Sequence, residues 1–421
     1  MHQPDSNKFP LRKALTLLIV VLALAACRST PETPAEPPAK PVLAPTPPPQ
    51  SVPLPEPPST VMQPTVPLAG AHLRRGHWTE LPGWREDDPA AAWDAFLTSC
   101  STLKTQDAWR AVCAAALAAP RPDRERARRF FELNFTPYQL LQPDGGAEGL
   151  ATGYYEPLLR GSRTPTSRYR YPVYGVPDDL VAVDLPAFGI TAKEPRLRAR
   201  LDGKLVVPYF ERAQIEAGAA PVRGRELAWV EDPVELFFLQ IQGSGRIELD
   251  GGGVMRVGFA DHNGHPYRSI GRLLIDRGEL APERASMQGI KAWARQNPDK
   301  LRDVLDHNPR YIFFRELPAG LGGPLGALGV PLTARRSIAA DPRYVPPGAP
   351  VFLATTWPLS PKPLNQLMLA QDTGTAIRGA VRADFFWGHG DDAGREAGRM
   401  KQALRMWLLL PQGYPVSGAP D

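Results

Sequence analysis

Residues 367–400 read LMLAQDTGTAIRGAVRADFFWGHGDDAGREAGRM, and this stretch carries the strongest indications of fold and chemistry. Its first part, up to Asp372, is an apolar run that predicts a strand. Asp384 follows Ala383 and precedes three aromatic residues, 385–387. Aromatic surroundings raise the pKa of a carboxyl because burial disfavours its charged form. Although an aspartate at a strand end or turn is common, a carboxyl protonated near neutral pH suits a general acid, so Asp384 is the candidate catalytic residue.

Short apolar and β-branched runs extend from this stretch towards both ends of the chain, separated by Gly, Pro and Asp. They include GLATGYYEPLL, YRYPVYG, KLVVPYF, LAWVEDPVELFFLQIQGSGRIEL, VMRVGF, YIFFREL and GAPVFLATTW. Such runs are typical of strands in a barrel or sandwich. Helices are predicted at Ile270–Arg277 and Met287–Asn308. The predicted fold class is therefore mainly β with helical segments.

Residues 72–134 precede these strands and read as helical. Asp88 followed by Pro89 suits an N-cap with proline at the first helical position. Two more helices are predicted, at Asp107–Leu117 and Pro122–Asn134. The folded part of the chain thus begins with a helical segment.

Three cysteines occur in the chain, and no CxxC pair is present from which a zinc site could be built. Cys100 and Cys113 lie near the ends of the first two predicted helices. In an exported protein such a pair favours a disulfide over two buried thiols. We assign this disulfide to stability and not to catalysis.

Residues 1–26 have the order of a secretory signal, with basic residues first and an apolar run from Ala14. The run ends in LAAC at 24–27, which resembles the bacterial lipobox, in which the cysteine, here Cys27, is acylated. The alternative is an uncleaved membrane anchor, but the run is shorter than the ~20 residues that span a bilayer. Arg28 follows the cysteine, and by resemblance to bacterial sorting rules this favours the outer membrane.

Residues 27–70 form a predicted lipid-anchored tether, because proline is dense from Pro31 to Pro67. Proline removes backbone donors, and the segment holds too little apolar content for a core. An extended polyproline chain of this length reaches on the order of 100 Å from the membrane. A proline-rich segment that binds a partner is the alternative.

The formal net charge of the chain is +5, of which the leader contributes +2. A charge near +3 on the mature chain is too small to indicate nucleic-acid binding, so no nucleic-acid partner is expected. It is compatible with an anionic polymer as partner.

The block QDTGTAIRG…ADFFWGHGDDAGREAG, at 371–398, closely resembles the C-terminal signature of the membrane-bound lytic murein transglycosylase A family. It is also similar to smaller three-aspartate domains that share the family's double-psi barrel. The resemblance continues in order in ATGYYEP (151–157), LQIQGSGRI (239–247), HNGHPYRSIGRLLIDRGEL (262–280) and RRSIAADPRYVPPGAPVF (335–352). It covers most of the chain between residues 150 and 410.

The resemblance implies two domains with a glycan groove between them. Residues 71–156 and 318–412 would form a double-psi β-barrel domain with N-terminal helices, and 157–317 an inserted β domain. The implied reaction cleaves the β-1,4 bond between N-acetylmuramic acid and N-acetylglucosamine in peptidoglycan and leaves a 1,6-anhydromuramoyl end. The implied partners are glycan strands and the outer membrane, and proteins of cell-wall synthesis or hydrolysis are candidates.

The family's catalytic acid corresponds to Asp384, which would act first as acid and then as base. Asp372 and Asp341 correspond to the other two aspartates and are predicted to support it, although a purely structural role for Asp341 is equally open. One residue more than in some members separates Asp372 from Asp384, which leaves the loop between them undetermined. Tyr154 and Tyr155 alternate faces if they lie on a strand, so that one can stack on sugar while the other packs in the core. Substrate contacts are expected from Thr152, Tyr154, Tyr155, Gln242, Gly243, Ser244 and Trp387.

No cofactor and no metal are expected. His262 and His265 are three residues apart, but Asn-Gly-His-Pro is turn chemistry and no third ligand stands out. Two other functions stay open: an inverting glycan hydrolase that uses Asp372 as base, and a peptidoglycan-binding lipoprotein without catalysis. The aromatic setting of Asp384 favours an enzyme, because binding alone does not require it.

Overall fold

A computed structural model describes residues 68–69, 72–192 and 195–417. The predicted signal peptide, the predicted lipidation site Cys27 and almost all of the predicted tether lie outside these residues. Within these ranges, no helix has both the length and the apolar character that crossing a membrane requires.

Nineteen strands occur in the described part of the chain. They are β1 (Leu68–Ala69), β2 (Leu73–Arg75), β3 (Phe135–Leu140), β4 (Gly149–Glu156), β5 (Leu158–Ser162), β6 (Tyr171–Tyr174), β7 (Val181–Asp184), β8 (Arg196–Asp202), β9 (Leu205–Pro208), β10 (Glu226–Val230), β11 (Ser244–Leu249), β12 (Val254–His262), β13 (Ile312–Glu316), β14 (Ser337–Ala340), β15 (Pro350–Thr356), β16 (Pro363–Asp372), β17 (Arg382–His389), β18 (Lys401–Pro411) and β19 (Val416–Ser417).

Nine α-helices accompany these strands over the same described ranges. They are α1 (Trp93–Leu103), α2 (Asp107–Ala118), α3 (Arg124–Asn134), α4 (Arg212–Glu216), α5 (Pro233–Gln242), α6 (Ile270–Asp276), α7 (Met287–Gln296), α8 (Leu301–Asp306) and α9 (Gly390–Arg399). The prediction of a mainly β fold with helical segments is confirmed.

Six strands hydrogen-bond in a ring, in the order β15, β16, β14, β17, β4, β18 and back to β15. The pairs β14–β16 and β4–β17 are parallel, and the other four pairs are antiparallel. A parallel pair needs a long connection between its strands, and the chain between β4 and β17 contains all of β5 to β16. The ring therefore joins the two parts of the chain that the family resemblance assigns to the barrel.

A second, six-stranded sheet has the order β13, β12, β11, β5, β10, β6, and β7 to β9 form a three-stranded sheet. All of these strands, and α4 to α8, lie within the predicted insert 157–317. The insert has hydrophobic clusters of its own, around Val257, Leu274 and Phe313, separate from the barrel cluster that contains Phe352. The domain boundaries themselves stay a prediction.

The N-terminal helices pack on the barrel through an aromatic cluster. The ring of Phe96 lies 5.4 Å from that of Phe131 and 5.8 Å from that of Phe135, measured between centroids. Buried Asp87 accepts a hydrogen bond from the amide of Leu367 on β16 at 2.7 Å. Apolar burial and one buried carboxylate thus hold this segment against the barrel.

Two element assignments made from the sequence are wrong. The run predicted as strand around LAWVEDPVELFFLQIQ contains helix α5. Asp232 caps this helix by accepting from the amides of Val234 and Glu235, and Pro233 occupies its first position. The helix predicted at Met287–Asn308 is interrupted, so that α7 and α8 stand on either side of Pro298, which lacks the amide that a continuous helix needs.

A buried ion-pair network lies where the chain passes from the barrel to the insert. Glu156, the last residue of β4, has no exposed surface and accepts hydrogen bonds from Arg246 at 2.9 Å and Arg256 at 3.1 Å. Arg256 also donates to the carbonyl of Leu321, where the chain has returned from the insert. Removing one member would leave a charge buried without its partner. The network therefore holds together the segment where the chain leaves the barrel and the segment where it returns from the insert.

Cys100 on α1 and Cys113 on α2 form a disulfide that closes a loop of 13 residues. Replacing both by alanine removes the cross-link, so the unfolded chain gains conformational entropy. We expect the free energy of unfolding to fall by about 2–3 kcal/mol, measured by urea titration. The reduced wild-type protein is the control and should lose the same amount. An unchanged unfolding midpoint in both would contradict the stabilising role.

Candidate active site

Strand register places two aspartates on either side of one alanine. Ala339 on β14 pairs with Asp372 on β16 and with Asp384 on β17. On the far side of β17, Asp384 pairs with Thr152 on β4. Directly opposed residues in neighbouring strands point to the same face of a sheet, so the four residues form a row across four strands.

Asp384 is half-buried in this row. Its Oδ1 accepts a hydrogen bond of 2.5 Å from the hydroxyl of Thr152. Burial raises the pKa of Asp384, while the Thr152 hydrogen bond and the positive charge of Arg382 act in the opposite direction without outweighing it. A carboxyl with a raised pKa, still partly exposed, is suited to give a proton to a bound molecule.

Asp372 occupies the other side of the row and is held by three donors. Its Oδ1 accepts from the backbone amides of Ala327 and Thr373, each at 2.9 Å, and its Oδ2 accepts from the phenol of Tyr154 at 3.0 Å. Burial raises the pKa of Asp372 to about 6, and the nearby charge of Asp384 adds to the rise. The two carboxyls are therefore electrostatically coupled.

Tyr154 lies two residues after Thr152 on β4 and shares its face, as the alternation of a strand requires. Its ring centroid is 5.2 Å from that of Phe386, with which it pairs in register. Burial, followed by the charges of Asp372 and Asp384, raises the pKa of Tyr154 well above its ordinary value. Tyr154 therefore stays a neutral phenol that donates to Asp372.

Asp341 is fully buried at the end of β14 and bonds to residues other than Asp384. Its carboxylate accepts from Arg343, with the shortest contact at 2.6 Å, and from the amide of Gly379 at 2.9 Å. Burial opposes the charge of Asp341, but these donors prevail and lower its pKa. The residue ties the end of β14 to the loop that enters β17.

Two of the aromatic residues predicted to contact substrate lie in the core. Trp387 is 6% exposed and Tyr155 is 7% exposed. The Trp387 ring packs 4.7 Å from that of Phe385, and a Cβ on Gly153 would lie 2.7 Å from Trp387 Nε1. Trp387 lies three residues after Asp384 on β17, and Tyr155 lies three residues after Thr152 on β4, so both side chains face the opposite side of the sheet. The prediction that they contact sugar is therefore corrected.

The turn at Gln242, Gly243 and Ser244 lies against the same strand. Gln242 ends α5 and accepts a hydrogen bond of 3.2 Å from the amide of Tyr155, and Gly243 adopts the left-handed conformation that ends the helix. All three residues are half-buried. The structure therefore brings this turn into contact with β4 at Tyr155, although the two are 87 residues apart in the sequence.

Arg382 is a member of the site that the sequence analysis missed. Its Nη2 donates to the hydroxyl oxygen of Thr152 at 2.8 Å. The available signal was its position two residues before Asp384, which places both side chains on one face of a strand.

Together these groups can move a proton to and from an oxygen atom of a bound molecule. Two carboxyls of raised pKa and one neutral phenol share one face of the barrel. Across the described ranges, no three His, Cys, Asp or Glu side chains converge as metal ligands would. The arrangement has the components of acid–base catalysis.

Comparison with protein families gives two matches that together cover the barrel and the insert. Residues 150–315 match the MltA specific insert domain, and residues 336–410 match the 3D domain. The second match contains all three aspartates discussed above, Asp341, Asp372 and Asp384.

The chain is 32% identical over 289 residues to membrane-bound lytic murein transglycosylase A of Escherichia coli K12, covering 67% of this chain and 71% of that protein. Among solved structures, MltA from Neisseria gonorrhoeae is 42% identical with a TM-score of 0.73, covering 83% of this chain and 98% of that one. E. coli MltA with bound chitohexaose is 27% identical with a TM-score of 0.60, covering 83% and 93%. The chain therefore belongs to the membrane-bound lytic murein transglycosylase A family.

Proposed function

We propose that this protein cleaves the β-1,4 bond between N-acetylmuramic acid and N-acetylglucosamine in peptidoglycan by lytic transglycosylation, with Asp384 as acid and then base. The observation that carries the proposal is the position of Asp384, half-buried, with a raised pKa and on one face with Thr152, Tyr154 and Asp372. A retaining or inverting hydrolase commonly needs two carboxyls with separate roles, whereas this reaction can proceed with one.

The proposed reaction has two proton transfers. Protonated Asp384 gives its proton to the glycosidic oxygen as the bond from that oxygen to C1 of N-acetylmuramic acid breaks. The C6 hydroxyl of the same sugar then bonds to C1 and passes its proton to the ionised Asp384. The carboxyl is regenerated, a 1,6-anhydro ring is formed, and no water is consumed. Intramolecular attack gains from proximity.

The glycan is proposed to run along the face that carries Thr152 and Tyr154 towards the turn at Gln242. The bound chitohexaose in the E. coli relative supports a saccharide as occupant, since that relative shares this fold. Asp372 and Asp341 are proposed as supporting residues, the first by its charge next to Asp384 and the second by holding the loop before β17.

We also propose that the chain is an outer-membrane lipoprotein facing the periplasm, acylated at Cys27 and held by its proline-rich tether. The lipobox-like LAAC and the following Arg28 support this location, as does the membrane-bound nature named for the E. coli relative. Proteins of cell-wall synthesis or hydrolysis stay candidate partners.

Asp384→Asn should slow cleavage severely, because an amide can neither give nor accept the transferred proton. We expect the rate to fall by about 10²–10⁴-fold, measured by mass spectrometry of the products from purified sacculi. Asp392→Asn is the matched control, since that carboxylate is exposed on α9, and it should keep the normal rate. Anhydro products formed at the normal rate by Asp384→Asn would exclude its role.

The products of the wild-type protein separate the other functions. Reducing ends in place of anhydro ends would indicate an inverting hydrolase, and binding to sacculi without cleavage would indicate a binding lipoprotein.

Asp372→Asn should shift the pH profile without changing the products. The charge of Asp384 raises the pKa of Asp372, which lies at about 6, and because repulsion between two carboxylates is mutual, an ionised Asp372 also opposes ionisation of Asp384. Removing that charge lowers the pKa of Asp384, so the alkaline limb of kcat/KM should move to lower pH. Complete loss of activity in this variant would instead support Asp372 as a catalytic base.

Cys27→Ser should abolish lipidation. Cells grown with labelled palmitate should label the wild-type protein, which should fractionate with the outer membrane, whereas Cys27→Ser should carry no label. Arg28→Asp is the matched variant and should keep the label but move to the inner membrane. Label on Cys27→Ser would contradict the assignment.

A further inference from the structure

We propose that Arg382 and Thr152 form a positioning relay that fixes which oxygen of Asp384 carries the catalytic proton and that stabilises the carboxylate once the proton has left. This inference rests on the proposed role of Asp384 as the acid. Neither residue transfers a proton to the glycan in this scheme. Thr152 was expected to contact substrate, and the relay gives its hydroxyl a different task.

The direction of the relay follows from which groups can donate. A guanidinium has only donors, so the 2.8 Å contact between Arg382 Nη2 and Thr152 Oγ1 makes the hydroxyl oxygen an acceptor. The single proton of Thr152 is then free to point elsewhere, and Asp384 Oδ1 lies 2.5 Å away. The hydroxyl of Thr152 therefore donates to Asp384 Oδ1, and this is the only direction open to the contact when Asp384 is ionised, because a carboxylate can only accept.

This direction determines where the proton of the acid resides. Because Oδ1 accepts from Thr152, a proton on that oxygen would oppose the hydroxyl proton, so protonated Asp384 carries its proton on Oδ2. The glycosidic oxygen must then approach Oδ2. After proton transfer the negative charge on Asp384 keeps a short hydrogen bond whose donor is polarised by a cation, and such bonds are stronger than those between neutral groups.

The guanidinium is held in place by the backbone of both strands. Arg382 Nη1 donates to the carbonyl of Ala383 at 2.5 Å and to that of Leu150 on β4 at 3.3 Å. Arg382 also pairs with Leu150 in the parallel register that pairs Asp384 with Thr152. Three acceptors thus fix a half-buried cation on the face that carries the acid.

The charges around Asp384 come from several elements. Asp372 on β16 is the carboxyl coupled to it by charge repulsion, Tyr154 on β4 is neutral, and the neighbouring position on β14 is Ala339. Lys401 on β18 pairs with Thr152 in register and is exposed.

Helix α9 packs on β4 and β17 and also carries charges. Asp392 and Arg395 form an ion pair at the surface, and the charge of Asp391 contributes to the raised pKa of Tyr155. Arg382 is the positive charge that lowers the pKa of Asp384.

The test compares four single variants at Thr152 and Arg382, their double variant and one surface control. Thr152→Val removes the hydroxyl and keeps the shape, and Arg382→Met removes the donors and keeps most of the stem. Each should move the alkaline limb of kcat/KM upward by about one pH unit and lower kcat about tenfold, because Asp384 becomes a weaker acid. Thr152→Ser should restore the wild-type profile, and Arg382→Lys should give a smaller shift than Arg382→Met.

The double variant, Thr152→Val with Arg382→Met, tests whether the two residues act as a chain. If Arg382 acts through Thr152, the shift of the double variant is smaller than the sum of the single shifts. Arg395→Met is the matched surface control and should keep the wild-type pH profile, and thermal unfolding of every variant checks that the fold is retained.

Two outcomes would overturn the relay. One is a wild-type pH profile in Thr152→Val and Arg382→Met while Asp384→Asn is inactive, which leaves the proposed function intact. The other is a raised KM with an unchanged profile, which would return Thr152 to the role of a substrate contact. Activity in Asp384→Asn would instead show that the proposed function itself fails.

Discussion

The parallel pairing of β4 with β17 sets the geometry of the whole site. It brings Thr152 to 2.5 Å from Asp384 although the two are 232 residues apart in the sequence. A shift of one residue in this register would turn the face of Asp384 away from Thr152 and Tyr154. Glu156 at the end of β4, paired with Arg246 and Arg256, anchors the strand where it leaves the barrel. The parallel pair β4–β17 requires a long connection between its two strands, and the insert forms part of that connection.

The chemistry of the site is a balance between burial and hydrogen bonding. Burial raises the pKa of Asp372 and of Asp384, and the donors around each carboxyl limit the rise. Tyr154 stays neutral because two negative neighbours and burial all oppose its ionisation. Asp341 represents the opposite case, since its donors outweigh burial and keep the carboxylate charged. Of the three aspartates in one signature, two thus have a raised pKa and one has a lowered pKa, set by their local partners.

Much of this could be predicted from the sequence, and periodicity explains what was missed. The family signature identified Asp384 and Asp372, and the alternation along TGYYEP separated Tyr154 from Tyr155. The same alternation indicated that Trp387, three residues from Asp384, faces the other side of the strand and that Arg382, two residues from Asp384, shares its face. Residues an odd number apart on a strand face opposite sides, and residues an even number apart face the same side. Helix α5 is apolar on most of its surface, so periodicity could not distinguish it from a strand. The contact between Gln242 and β4 depends on tertiary packing and has no local signal.

The ring of six strands draws on both halves of the chain, with β4 from the first half and β14 to β18 from the last third. A ribosome delivers β4 long before it delivers β17, and pairings between such distant segments form late in folding. A nascent or truncated chain that ends before β17 therefore holds Thr152 and Tyr154 without Asp384. The proposed catalytic site is thus incomplete, by topology alone, until the strands near the end of the chain have been synthesised.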